Sequence, residues 1–139
     1  MELYVTLILW GDCLIPEEIT EMVAIPPIKS NRKGDQGDRH GAMLQTYRTG
    51  MWSVSTEGFI GSDSLADHLR FIADKFCDKL PLLKKDNKVD KARLSIMVVI
   101  ENEEATLSSW EDEIDAETLN KVNQLGASLS LVVMYPVRT

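Results

Sequence analysis

Two stretches of the chain show apolar residues at nearly every position. In Leu3 to Trp10, one alternating set is Leu3, Val5, Leu7 and Leu9 and the other contains Tyr4, Ile8 and Trp10; Leu94 to Ile100 repeats the pattern. Strands that are apolar on both faces belong in the middle of a sheet, so both runs are read as central strands. Gly50 to Thr56 predicts a shorter strand with Trp52 and Val54 on its apolar side. Leu129 to Tyr135 predicts the last one. Leu129, Leu131, Val133 and Tyr135 share a face, and Ser128 and Ser130 mark the more exposed face.

Three segments follow the helical period instead. Pro16 suits a first turn, Glu17 and Glu18 lie at the positive end of its dipole, and Ile15, Ile19, Met22 and Val23 share one face before Pro26-Pro27 stops the helix. The longest stripe is Leu65, Leu69, Ile72, Phe76 and Leu80, extended by Leu83; Ser64 and Asp67 predict its N-cap pair, and Pro81 predicts its end. The third helix starts with Asp115 as N-cap, has Ile114 and Leu119 placed as a hydrophobic staple, and stops at Gly126.

The span 29–49 is polar and rich in glycine and charge, which predicts a long loop with strand fragments near either end. Lys84 to Lys91 predicts a charged turn. The element order is β-α-(loop)-β-α-β-α-β, and the strand–turn–helix from Leu3 to Ile25 is echoed from Leu94 to Gly126. This pattern predicts one α+β domain over residues 1–139. The expected form is a ferredoxin-like sandwich, with a mixed or antiparallel sheet and helices mainly on one face.

Composition agrees with a single core. The chain has 139 residues, 44% of them hydrophobic, enough to fold without a disulfide or a structural metal. Cys13 and Cys77 lack the spacing of a disulfide scaffold or a zinc site, and are expected to be free thiols in a reducing compartment. The opening MELYVTLILWGD has no basic n-region and no small-residue cleavage site. No run approaches the ~20 apolar residues of a membrane span. These features predict a cytoplasmic protein away from membranes.

Charge changes the picture more. The net charge is −7, and residues 94–139, with eight acids and two bases, carry −6 of it. Such a chain repels nucleic acid and attracts basic proteins. The excess lies in ENEEATLSSWEDEIDAE, residues 101–117, which holds eight carboxylates, one tryptophan and no lysine or arginine. Asp112, Glu113, Asp115 and Glu117 flank a helix N-terminus, where each gains ~0.3–1 kcal/mol. Glu101, Glu103 and Glu104 lie where a strand leaves the sheet, and their mutual repulsion has no such compensation. Trp110 has two readings: a buried tryptophan that closes one end of the sheet, or an aromatic anchor ringed by Glu103, Glu104, Glu111, Asp112 and Glu113 for a basic partner. As a metal site the row lacks the spacing and turn glycine of a calcium loop, and no cofactor is expected.

Other candidate chemistry is sparse. Asp35, Asp38, Arg39 and His40 in GDQGDRHG, with Asp12 and Cys13 after the first strand, are the residues from which an acid/base or metal cluster could be built. No HxH, HxxxH or HExxH pattern accompanies them, and glycine with aspartate also simply makes turns. RKGDQGDRHG is not a phosphate loop. Lys29, Arg32, Lys33, Arg39 and Arg48 are expected to contact phosphates or to pair with the acidic third of the same molecule. His68 is read as a boundary residue at the rim of the second helix's stripe.

GDCLIPEEITEMVAIPP resembles the opening G-D-x-L-x-P-x-x-I-T-x-x-L-x-x-x-P of a bacterial family described as domain of unknown function 4279. The likeness continues through Lys33-Gly34-Asp35, Gly50-x-Trp52, SDSLADHLRFIADKF and LNKVNQLGASLSLVVMY, and so spans Leu3 to Tyr135. The chain departs from the family pattern in its acidic insert before the third helix and in the polar loop after Gly34. The resemblance implies an α+β fold and a bacterial or phage origin, and brings no catalytic residues. By analogy with other small acidic bacterial proteins it points toward immunity proteins.

Three readings follow. The first is a non-enzymatic binding protein, an immunity protein that neutralises a basic, nuclease-like toxin through the acidic segment; an acidic inhibitor or adaptor of a nucleic-acid-binding complex would use the same surface. The second is a small-ligand-binding protein or hydrolase built on residues 12–13 and 35–40. The third is a regulatory or housekeeping module with neither partner nor pocket.

Overall fold

The computed structural model describes residues 2–40, 43–100 and 112–134. In chain order these residues form β1 (Glu2–Gly11), α1 (Pro16–Val23), β2 (Lys29–Asn31), β3 (Gln36–His40), β4 (Met43–Thr46), β5 (Gly50–Ser55), α2 (Leu65–Phe76), α3 (Leu80–Lys85), β6 (Lys91–Val99), α4 (Ala116–Gln124) and β7 (Ser128–Met134). The main sheet has the order β2-β5-β1-β6-β7, antiparallel throughout except for the parallel β6–β7 pair. The two strands that are apolar on both faces are thus central. The fold is α+β with a mixed sheet.

The ferredoxin-like plan is met in part. β5–α2–β6 is a split β-α-β unit, with β1 lying between its two strands. The second such unit is absent from the described residues, because β1 and β5 are antiparallel neighbours across α1, and β6–α4–β7 joins adjacent strands.

One face of the sheet is covered. Leu3, Val5, Leu7 and Leu9 align with Val98, Ile96, Leu94 and Ala92 of β6, and Leu7 and Leu9 align with Val54 and Trp52 of β5; all are buried. Ile19 and Val23 of α1 join this cluster, with Leu69, Ile72 and Phe76 of α2 and Leu80 and Leu83 of α3. On the other face, Tyr4, Ile8 and Trp10 remain partly exposed. Lys91 and Arg93 of β6 lie 5.2 and 5.6 Å from the Trp10 ring centre, so cation–π contact covers this indole from within its own sheet.

Two spans differ from the pattern's expectation. Residues 29–49 contain more strand than loop: β2 joins the sheet edge, and β3 with β4 forms a separate hairpin. A turn leads into the hairpin. The Arg32 N–H donates to the Asp35 carboxylate (2.8 Å) and the Asp35 N–H to the Arg32 carbonyl (3.1 Å), with Gly34 at φ 88°, a backbone state costly for a residue with a Cβ. The second difference is at Pro81, which opens α3 within its first turn; there its missing N–H has no intrahelical partner to lose.

Candidate partner-binding surface at one end of the sheet

Asp12, Glu17 and Glu18 lie at the C-terminal end of β1 and the start of α1, and each meets a base. Lys33 reaches Asp12 at 3.3 Å, Arg32 reaches Glu17 at 2.9 Å, and Lys88 reaches Glu18 at 3.8 Å. The Asp12 carboxyl is held below the usual carboxylate range by a hydrogen bond from Thr49 and then by Lys33, and the Glu17 carboxyl by its own backbone N–H and then by Arg32. Arg32 and Lys33, just after β2, therefore pair with the first strand–helix unit.

The opposite end has the reverse balance. The N-terminus of β1, the turn after β5 and the start of α2 bring Glu2, Tyr4, Glu57 and Asp63 around an open pocket of about 180 Å³, together with backbone from Gly58, Gly61 and Ser62. Among the described residues none of the three carboxylates has a basic partner. Burial pushes the Tyr4 hydroxyl's pKa up, and the charges of Glu57 and Glu2 raise it further, so the phenol is held neutral beside them.

The turn that presents these acids is fixed by a buried chain of hydrogen bonds. Thr56 and His68 are fully buried. The Val5 N–H donates to the Thr56 hydroxyl oxygen (2.9 Å), and the Thr56 N–H donates to the Val5 carbonyl (2.9 Å). The side chain thus prolongs the β1–β5 ladder one step past Ser55. Thr56 Oγ1 lies 2.6 Å from His68 Nδ1, and His68 Nε2 lies 2.6 Å from the Ser62 carbonyl. Since a carbonyl only accepts, Nε2 carries the proton and Nδ1 accepts from the threonine hydroxyl. His68 is therefore an interior link between helix, turn and sheet, where the pattern placed a boundary residue.

The acidic segment 101–117 begins and ends here. Ile100 follows β6 beside the Glu2 end of β1, and its N–H donates to the Met134 carbonyl (2.9 Å). The segment returns at Asp112, whose carboxylate accepts from the Ala66 N–H (3.2 Å) and the Ser64 hydroxyl (3.4 Å). Asp112 thus caps α2 from 46 residues away. Ser64 holds the predicted N-cap position but makes no side-chain cap bond of its own, and Asp67 accepts from Ser62 instead (2.8 Å). Asp112→Ala is expected to lower stability by about 1 kcal/mol while Asp112→Asn, which keeps an acceptor, stays close to the parent; thermal unfolding of the two variants checks this.

The remaining acids of the segment divide clearly. Asp115 is the N-cap of α4, as predicted; Thr118, then its own backbone N–H, and then Arg70 hold its carboxyl below the usual range. Glu117 lies 3.7 Å from Lys121, which also meets Asp74 at 2.8 Å. Glu113 is exposed and has no basic partner among the described residues. The expected anchor Trp110 and the acids Glu103, Glu104 and Glu111, with Glu101, lie outside the described residues. The expected staple is looser than predicted: Ile114 packs on the core, but Leu119 is half exposed. Glu2 escapes a linear reading with Glu57 and Asp63, because it opens β1, far in the chain from the turn that the other two share.

The region proposed for catalysis is differently built. Asp12 is engaged by Thr49 and Lys33, and Asp35 closes the turn before β3. The side chains of Asp38 and His40 lie outside the described residues. Cys13 is exposed and Cys77 buried, both free; burial and then Asp78 push the Cys77 thiol's pKa up, away from the reactive thiolate. Among the described residues no group of three or more His, Cys, Asp or Glu side chains is gathered as a metal site would require, and no helix is long and apolar enough to cross a membrane.

Comparison with curated proteins and with solved structures found no match. A protein-family profile described as a domain of unknown function matches residues 1–135, nearly the whole chain. The chain belongs to this family, DUF4279.

Proposed function

We propose that the protein is a non-enzymatic binding protein that uses the acidic end of its sheet to hold a basic protein in the cytoplasm of a bacterium. The closest functional type is an immunity protein that covers the phosphate-binding surface of a nuclease-like toxin. One observation carries the reading: the chain pairs Asp12, Glu17 and Glu18 with bases at one end, while at the other, where the acidic segment leaves and returns, Glu2, Glu57, Asp63 and Glu113 have no basic partner among the described residues. Unpaired like charge destabilises the isolated protein, while a complementary basic surface would turn it into faster and more selective association. The pocket between Glu2, Glu57 and Asp63 suits a single ammonium or guanidinium group.

The test is affinity capture from the native host lysate at low and high salt, with the parent and the double variant Glu57→Lys/Asp63→Lys as baits. Both positions are exposed, so the variant should fold normally. The expected result is a basic protein retained by the parent at low salt, released at high salt, and bound ~10-fold or more weakly by the variant, with a shallower salt dependence. A partner retained equally by both baits would place the binding surface elsewhere. The identity of the captured protein separates a toxin from another nucleic-acid-binding complex.

A further inference from the structure

The two edges of the sheet are finished differently. β2 is three residues long, follows Pro26-Pro27 and carries Lys29, all features that discourage another strand from adding to it. β7 has seven residues, no charge and no proline, and among the described residues no strand pairs with its outer side. Apolar side chains are exposed on both of its faces. Leu129, Leu131 and Val133 are in register with the buried Leu94, Ile96 and Val98, yet Leu129 is 62% and Leu131 65% exposed; Val132 and Met134 on the other face are exposed as well. Contiguous exposed apolar residues of this kind mark interaction sites when the patch is large.

We propose that β7 pairs with β7 of a second copy of this chain, antiparallel about a two-fold axis, to give one continuous sheet across a homodimer. Charge selects this occupant. A basic partner, as inferred for the acidic end, finds no counter-charge on SLSLVVM, whereas an identical uncharged strand adds apolar side chains to both faces without repulsion at the contact. Symmetry supplies the register: with Ser128 opposite Met134, Leu131 at the strand centre faces its own copy. The paired edges satisfy each other's free N–H and C=O groups, and the exposed leucines, valines and methionine add apolar burial that a bare edge would lack. β7 ends beside the acidic end, where the Ile100 N–H meets the Met134 carbonyl, but its pairing uses none of the carboxylates there, so neither proposal depends on the other.

Light scattering behind size exclusion, run from low to high micromolar protein, tests it with the parent, Leu131→Lys and Leu129→Lys. Both leucines are mostly exposed, so each variant should keep its fold, checked by circular dichroism. The expected result is a concentration-dependent dimer in the parent and a dissociation constant raised ~100-fold or more by Leu131→Lys, which sets two ammonium groups face to face at the axis. A parent that stays monomeric overturns the proposal, including one whose β7 amides resist hydrogen exchange because the chain covers its own edge. A dimer that survives both lysines unchanged also overturns it.

Discussion

Trp52→Ala is expected to remove about 3–5 kcal/mol of folding stability, the largest loss from any single truncation in this core. Trp52 is fully buried on the helix side of β5, between α1 and α2. Its ring centre lies 5.7 Å from that of Phe76 at 59°, and its indole N–H donates to Thr20 Oγ1 at 3.0 Å. Alanine leaves a cavity bounded by three elements that are each fixed elsewhere, so the site has little freedom to collapse. Against a total stability of roughly 5–15 kcal/mol for a domain, such a loss leaves the variant marginal. Urea titration should show a much lower midpoint at unchanged slope. Trp52→Phe keeps the ring packing, loses only the hydrogen bond and part of the volume, and should retain more than half of the lost stability. A shift below about 1.5 kcal/mol for alanine would mean that the layers close over the gap.

Thr56→Val should cost about 2–4 kcal/mol although it changes almost no volume. Valine cannot accept from the Val5 N–H or donate to His68 Nδ1, so two polar atoms in a fully buried setting lose their partners, at ~1–3 kcal/mol each. Thr56→Ser keeps the hydroxyl and should recover most of the loss, which separates the hydrogen bonds from the methyl packing. The same chain of bonds reaches Ser62, so hydrogen exchange across residues 57–63 should speed up in the valine variant and not in the serine variant. If valine and serine behave alike, the network contributes little and water replaces it.

These two residues also show where the sequence was legible. Trp52 was placed correctly because period-2 alternation in a short strand states which face is buried. The central positions of β1 and β6, the start of α1 at Pro16 and the N-cap positions of α2 and α4 were likewise accessible, since each depends on residues a few positions apart. Thr56 and His68 were not, because a threonine after a strand and a histidine on a helix acquire their meaning from each other and from Val5. Asp112 carries the same lesson: as part of an acidic run it reads as charge at the start of the third helix and as part of a partner surface, while the structure uses it to cap α2, from the other half of the chain. The β3–β4 hairpin lacked the alternation that identifies strands. In β7 the pattern named the shared face of Leu129, Leu131 and Val133 but not whether anything covers it, since periodicity reports direction and not coverage.

The position of β1 has a consequence for how the chain is made. It precedes every other described element, yet it lies at the centre of the sheet, with Leu7 opposite Val54 on one side and Leu94 on the other. Its first ladder can close only after β5 has been synthesised, and its second only after β6. Pairings between such distant segments form slowly, because the connecting chain must be ordered before the contacts compensate. During synthesis, at ~5–20 residues per second, Leu3, Val5, Leu7 and Leu9 therefore leave the ribosome several seconds before β6 is available. The nascent chain carries its most apolar strand uncovered for that interval, which makes it a natural client for chaperones that bind extended hydrophobic segments.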